Sequence, residues 1–349
     1  MVGKFDDIEI RGIVTCIPKN EEDMQEFVEH LGEKRVKKQI RMTGVKSRHI
    51  SHTSQMVADL AIPAAKTLMD RLSWKPEDIR VLVLVTQHPS FVTPATSFFI
   101  QRELGISKEC LVFDVNLGCS GYVSALRIVS SCLRQFGLEQ GNPKGILLAG
   151  DIQRDPYQVG PKTADQWADM MLFGDGVSAT GIELTQEGSP YFFEEYSDGS
   201  DFLTLLQEHD RARVMDGERI FEYAINDVTD YIGQFCEALP KELTRPEFYV
   251  FHQAQKFMLQ NVAMVLSIDE EKMLYSLEHH GNTSSASIPL AICLNRDRIR
   301  RYDAGKIPLL LCGFGMGLSC SIAYLSVDTN LVLELVESDE KIPYKRQSE

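Results

Sequence analysis

No CxxC pair and no metal-ligand spacing links the eight cysteines, at positions 16, 110, 119, 132, 236, 293, 312 and 320. Most stand among apolar neighbours, which argues against a zinc ribbon or a disulfide-stapled secreted scaffold and reads as reduced thiols in a cytoplasm. No stretch approaches the ~18 consecutive apolar residues of a membrane span. The opening Met1-Val2-Gly3-Lys4-Phe5-Asp6-Asp7-Ile8-Glu9 is acidic where a secretory signal would be basic and then apolar. Positive charge is scarce too. Lys+Arg 36 against Asp+Glu 50 leaves a formal charge of −14, so nucleic acid is not expected as the main partner.

What is present is a 349-residue chain that is 44% hydrophobic, enough for one large core or two smaller ones. Ile8 to Ile17 reads as a first strand. A basic run follows, with Lys34, Arg35, Lys37, Lys38, Arg41, Lys46 and Arg48 opposed only by Glu33. Such a run is either a solvated helix face or a docking site for something anionic. Residues 54 to 72 carry a helical pattern with Ser54 as a possible cap, and Pro63 inside it predicts a kink or break. Val81 to Val85 is continuously apolar, as in a parallel strand covered on both faces. Buried strands are expected at Leu111 to Val115 and Gly145 to Ala149, and further strands at Phe248 to Phe251, Ile307 to Cys312 and Ile322 to Val327. Helical stretches stand between them, so the chain reads as α/β and as a duplicated architecture.

Cys119 sits where the Leu111 to Val115 strand meets a helix marked by Leu126, Val129, Leu133 and Phe136. Gly118 and Gly121 flank it and permit a tight turn. The helix start would present free amides and a positive dipole end to the sulfur, lowering its pKa and raising the thiolate fraction a nucleophile needs. The plainer reading makes Cys119 one more small buried residue. Its partners elsewhere decide between them.

Five segments together resemble the β-ketoacyl-acyl carrier protein synthase III family of thiolase-like condensing enzymes, over nearly the whole chain. They are Asn-Leu-Gly-Cys-Ser-Gly-Tyr at 116–122, Leu-Phe-Gly-Asp-Gly at 172–176, His-Gln-Ala at 252–254, His-Gly-Asn-Thr-Ser-Ser-Ala-Ser at 280–287 and Gly-Phe-Gly-Met-Gly at 313–317. The resemblance implies a thiolase-like fold of two layered α/β halves, set at 1–180 with the cysteine and 181–349 with the histidine and asparagine. It also implies a homodimer. By that resemblance Cys119 accepts the acyl group, and His252 and Asn282 complete a Cys-His-Asn set. Both can donate to the enolate oxygen that forms when malonyl thioester loses its carboxylate. The amides of Cys119 and Met316 would hold the acyl oxyanion, and Phe314 would form an apolar wall that disfavours the malonyl carboxylate. Gly174-Asp175-Gly176 reads as a supporting turn, His280 as a packing residue and His279 as a polar neighbour. No metal is expected, and no bound cofactor, because the substrates are coenzyme A or carrier-protein thioesters.

Three departures matter. Gln255 replaces the fourth residue of the family's His-Gln-Ala-Asn motif. No tryptophan stands in Lys37-Lys38-Gln39-Ile40-Arg41-Met42, where family members often hold the adenine of coenzyme A. Lys37, Lys38, Arg41 and Lys256 could instead form a basic rim for an acidic carrier protein. Thr93 replaces a bulky aromatic that in some members caps the acyl pocket across the dimer, leaving room for a longer acyl group unless Phe91, Phe98 or Phe99 refills it. Decarboxylative condensation of an acyl thioester with malonyl-carrier protein is the leading reading. An acyltransferase of the same fold is the rival. A hydroxymethylglutaryl-coenzyme A synthase would need a glutamate in Thr86-Gln87-His88-Pro89-Ser90, and a silent heterodimer subunit would be expected to lose one of the three site residues.

Overall fold

The computed structural model describes residues 2–138, 141–153, 162–208, 213–303 and 305–344. Two mixed sheets organise it. The first has six strands in the order Val332–Glu337, Ile8–Ile17, Gly176–Leu184, Lys144–Asp151, Ile79–Val85 and Leu111–Val115. The second has five, in the order Gly3–Phe5, Tyr191–Ser197, Ser319–Asp328, Lys306–Gly315 and Phe248–Phe251. Ile79–Val85 pairs in parallel on both sides, as its unbroken apolar run predicts.

Side-chain alternation along that strand separates the layers. Val81, Val83 and Val85 join helices Gly121–Leu133 and Ser287–Leu294, together with Leu309 and Leu311, in a core between the two sheets. Leu82 and Leu84 face the other way, toward helix Val57–Leu72. Beyond the second sheet, Leu310 and Cys312 pack with helix Lys256–Val265. The result is five layers, helix-sheet-helix-sheet-helix, the thiolase-like fold. Among the described residues no helix is long and apolar enough to cross a membrane.

Several expectations need correction. The helix before the first parallel strand starts at Val57 and runs unbroken to Leu72 through Pro63. Ser54 does not cap it; the Asp59 carboxylate accepts the Met56 amide at 2.8 Å instead. Leu111–Val115 is half exposed, because it is the edge strand of its sheet. Phe136 lies past the end of the Gly121–Leu133 helix and is exposed. The division at 180 and 181 falls inside strand Gly176–Leu184, which is held along its length by antiparallel neighbours on both sides. The chain ends also cross over. Gly3–Phe5 edges the second sheet and Val332–Glu337 edges the first.

Candidate active site

Cys119 precedes Ser120, the cap of helix Gly121–Leu133, and the turn closes with the Gly121 amide donating to Gly118 O at 2.8 Å. Strand Lys306–Gly315 passes directly over it. A Cβ on Gly313 would lie 2.8 Å from Cys119 O, and one on Gly315, whose φ is 150°, would lie 2.9 Å from Cys119 Cβ and 3.2 Å from its Sγ. Only glycine permits that approach, which explains the alternation in Gly-Phe-Gly. The intervening Phe314 is buried and meets the His252 ring edge to face, with centroids 5.8 Å apart.

His252 follows strand Phe248–Phe251, and its amide donates to Cys312 O at 2.8 Å. Its Nδ1 lies 2.9 Å from Ser287 Oγ, which also accepts the Gln253 amide at 3.3 Å. Its Nε2 lies 3.5 Å from Asn282 Nδ2. Burial pushes the imidazole pKa down to about 3, with a backbone hydrogen bond at Ser284 acting the other way. The ring is therefore neutral at physiological pH.

Asn282 is fixed by its neighbours. Its Oδ1 accepts the Ser284 amide at 2.9 Å, its backbone amide donates to Leu172 O at 2.8 Å, and its carbonyl accepts the Gly174 amide at 3.1 Å. The Leu-Phe-Gly-Asp-Gly turn thus carries the asparagine. Within it, the buried Asp175 carboxylate accepts the amides of Ser51 at 2.8 Å and Gln153 at 2.6 Å. His280 is half-buried, stacks on His49 at 5.3 Å and is held by desolvation at a pKa of about 4. His279 is half exposed beside Ser47.

A cavity of about 450 Å³ is lined by Cys119, His252, Asn282, Phe314 and Met316 together. The backbone amides of Cys119 and Met316 lie beside the sulfur and act to lower its pKa, as does the charge of Arg213. Burial, aided by the charge of Asp151, nonetheless pushes that pKa up to about 12. The low-pKa thiolate expected from the helix start is therefore not found. Desolvation of a buried sulfur outweighs the helix end.

Helix Glu33–Thr43 supplies Gln39 and Thr43 to the cavity wall and leaves Lys37, Lys38 and Arg41 exposed. Lys37 pairs with Glu33 one turn away, and Lys256 packs its stem beside Gly44. The four cations lie on the outer surface of the two elements that flank the cavity. Arg48, in the same sequence run, is instead buried against Glu22 and Phe173 O. Thr93 is exposed and lies outside the cavity lining of this chain. Sequence reasoning missed Gln87, Gln153, Asp169 and Arg213, which also line the cavity. Nothing in their local pattern marks them. Ser287 lay inside a quoted motif with no role assigned.

Residues 242–327 match the model of the 3-oxoacyl-[acyl-carrier-protein] synthase III C-terminal family. The chain is 31% identical over 301 residues to a β-ketoacyl-[acyl-carrier-protein] synthase III of Streptococcus gordonii, covering 79% of this chain and 86% of that protein. It is also 31% identical over 309 residues to the Streptococcus pneumoniae enzyme of the same name, covering 82% of this chain and 89% of the other. Among solved structures, a 3-oxoacyl-(acyl-carrier protein) synthase from Burkholderia xenovorans LB400 superposes with a TM-score of 0.88 at 28% identity, over 97% of this chain and 99% of that one. With its fold, its motif order and its relatives in agreement, the chain belongs to the β-ketoacyl-[acyl-carrier-protein] synthase III family of condensing enzymes.

Proposed function

We propose that the protein condenses an acyl thioester with malonyl-carrier protein through an acyl-Cys119 intermediate. One observation carries the assignment: Cys119, His252 and Asn282, far apart in sequence, line one cavity. In the first half-reaction Cys119 Sγ attacks the donor carbonyl, the donor C–S bond breaks, and the cysteine proton leaves with the departing thiol. The amides of Cys119 and Met316 that now meet the sulfur are placed to receive the carbonyl oxygen as charge develops there. In the second, the malonyl carboxylate departs as carbon dioxide. Its electron pair forms an enolate, which attacks the acyl-Cys119 carbonyl and expels the cysteine sulfur.

The 3.5 Å between His252 Nε2 and Asn282 Nδ2 is long for a mutual hydrogen bond and suits two donors aimed at a third atom. For Nε2 to donate, Nδ1 must accept, and the Ser287 hydroxyl, whose oxygen already accepts the Gln253 amide, can supply that proton. A neutral ring keeps the enolate charge shared between two donors. Phe314 beside the ring leaves the malonyl carboxylate poorly solvated. The balance of this chemistry requires no metal or cofactor.

The basic residues Lys37, Lys38, Arg41 and Lys256 would steer an acidic carrier protein to the cavity mouth. A homodimer would cover the half-exposed edge strand Leu111–Val115 and bring Thr93 of one copy toward the acyl pocket of the other. A cytoplasmic setting suits a carrier-protein substrate. The competing reading is acyl transfer to a hydroxyl or amine. Incubation with acyl-coenzyme A or acyl-carrier-protein donors, followed by malonyl-carrier protein, separates the two by mass and carbon dioxide. Condensation requires a one-acyl gain absent from Cys119→Ala and carbon dioxide equal to the β-ketoacyl product. Acyl transfer without carbon dioxide release would overturn it.

A further inference from the structure

The two amides placed to receive the acyl oxygen come from distant parts of the chain. That of Cys119 belongs to the turn opening helix Gly121–Leu133, and that of Met316 to the turn joining strands Lys306–Gly315 and Ser319–Asp328. Met316 stands between Gly315 and Gly317, whose φ values are 150° and 131°. Glycines at such angles let the peptides between them swing with little steric resistance. The direction of the Met316 amide must therefore be set by contacts made elsewhere. Its carbonyl accepts from Ser319 Oγ at 2.6 Å, and Ser319 Oγ lies 2.8 Å from Ser120 Oγ.

The Met316 side chain is held by Gln87, a residue the condensation chemistry leaves unused. The Gln87 side-chain amide donates to the Met316 sulfur, and its Oε1 lies so close to Gly118 that a Cβ there would come within 2.6 Å of it. Gln87 is thus wedged between the residue preceding Cys119 and the residue supplying the second amide, and it lines the cavity with Cys119 and Met316. Its own backbone is fixed from behind. The fully buried Asp151 Oδ1 accepts the Gln87 amide at 2.7 Å and the Thr86 hydroxyl at 2.9 Å, and lies 3.1 Å from His88 Nδ1. The Thr86 amide donates to Val115 O at 3.1 Å, which ties the same loop to the edge strand.

Resting on the acyl-Cys119 reading above, we propose that Gln87 is a positioning residue for thioester exchange, holding the Met316 turn at a fixed distance from Gly118 so that the Met316 and Cys119 amides converge on the attacked carbonyl's oxygen. The exchange itself is unchanged: the donor C–S bond breaks, the Cys119 C–S bond forms, and the thiol proton leaves with the donor thiol. A thioether is a weak acceptor, so the contact adds little stability. Its effect is geometric, because a donor displaced by about 1 Å from the developing charge loses most of its catalytic value.

The test compares two reactions of one sulfur. Acylation by whichever acyl-coenzyme A loads the wild type fastest builds charge on a carbonyl oxygen, whereas alkylation by iodoacetamide displaces iodide at a saturated carbon and builds none. Both are followed at Cys119 at one pH in the wild type, Gln87→Leu, Met316→Leu and the double variant, with acylation measured across donor concentration. Leucine keeps the bulk of each side chain and removes the donor or the acceptor. Each single variant should lower the saturating acylation rate by about 10- to 100-fold while leaving half-saturation and alkylation unchanged. The double variant should lose no more than either single one, because the two side chains form one contact. Equal losses in acylation and alkylation would mark a general disturbance of the thiol and overturn the inference. So would raised half-saturation at an unchanged maximal rate, losses that multiply in the double variant, or acylation that neither substitution slows. If Gln87→Leu does not fold, Met316→Leu carries the same comparison alone. No acylation of the wild type by any donor would overturn the acyl-Cys119 reading and this inference with it, whereas every other result leaves that reading standing.

Discussion

Resting Cys119 should be a slow nucleophile, and the slowness can be read from a pH profile. Its pKa is pushed from an ordinary 9.0 up to about 12. The direction means the folded protein favours the neutral thiol, with thiolate appearing only as pH climbs toward that value. A helix N-terminus contributes about 0.3–1 kcal/mol to an adjacent anion, less than one pKa unit. It cannot cancel a net rise of three. At pH 7.5 the thiolate fraction is then lower than that of an ordinary cysteine by about 1000-fold. Iodoacetamide alkylation, followed at the Cys119 peptide so that the other seven thiols do not interfere, reports this fraction. Its rate should climb about tenfold per pH unit from 7 to 10.5 without levelling. The slope is independent of how freely the reagent enters. A plateau below pH 9 would refute the reasoning and restore the activated thiolate.

Asn282→Ala should leave acylation of Cys119 largely intact and cut carbon dioxide release by about 100- to 1000-fold, the usual effect of removing one oxyanion donor. Equal loss in both half-reactions would contradict its role in decarboxylation. Gly315→Ala places a methyl against Cys119 at a φ of 150°. Acylation should be lost, with urea unfolding showing a destabilisation of about 1–3 kcal/mol; an unaffected variant would show that the close approach is dispensable. His252 and His280 fold neutral, with pKa values of about 3 and 4 against an ordinary 6.5. Their stabilisation is complete above pH 6.5 and is lost as pH falls toward those values, at about 1.4 kcal/mol per unit each. Urea midpoints between pH 6.5 and 5 should fall less steeply in His280→Gln, and an unchanged slope would refute the assignment.

The strands were legible from local pattern and the Cys119, His252 and Asn282 candidates from a family resemblance, and the structure brings all three to one cavity. The alternating valines of the apolar run Val81 to Val85 favour a strand covered on both faces, and the glycines around Cys119 and Phe314 mark close backbone approach. Less visible was anything decided across the fold. The thiol pKa depends on enclosure by the Gly313 to Gly315 strand, which lies far along the chain from Cys119. Pro63 breaks no helix because burial of its neighbours Ile62, Ala64 and Ala65 in the helix-sheet core outweighs the one missing hydrogen bond. Arg48 looked like part of a solvated basic run, yet strand pairing at Ser47–His49 carries it inward to Glu22. Arg213 belongs to no motif, and only folding brings it to Asp169 and Gln153. The basic residues of helix Glu33–Thr43 were visible as a run, whereas their separation from the inward-facing Gln39 and Thr43 required the helix itself.

The crossed chain ends have a consequence for how the protein is made. Val332 pairs with Gly12, and Gly3 pairs with Phe193. A nascent chain leaving the ribosome can therefore build the interior of its first sheet early, but that sheet keeps an open edge along Ile8–Ile17 until Val332–Glu337 emerges. An open edge with an apolar face is a template for pairing with other chains. Until it is paired, such an edge favours association between chains, and deleting Val332–Glu337 would leave it exposed in the folded protein.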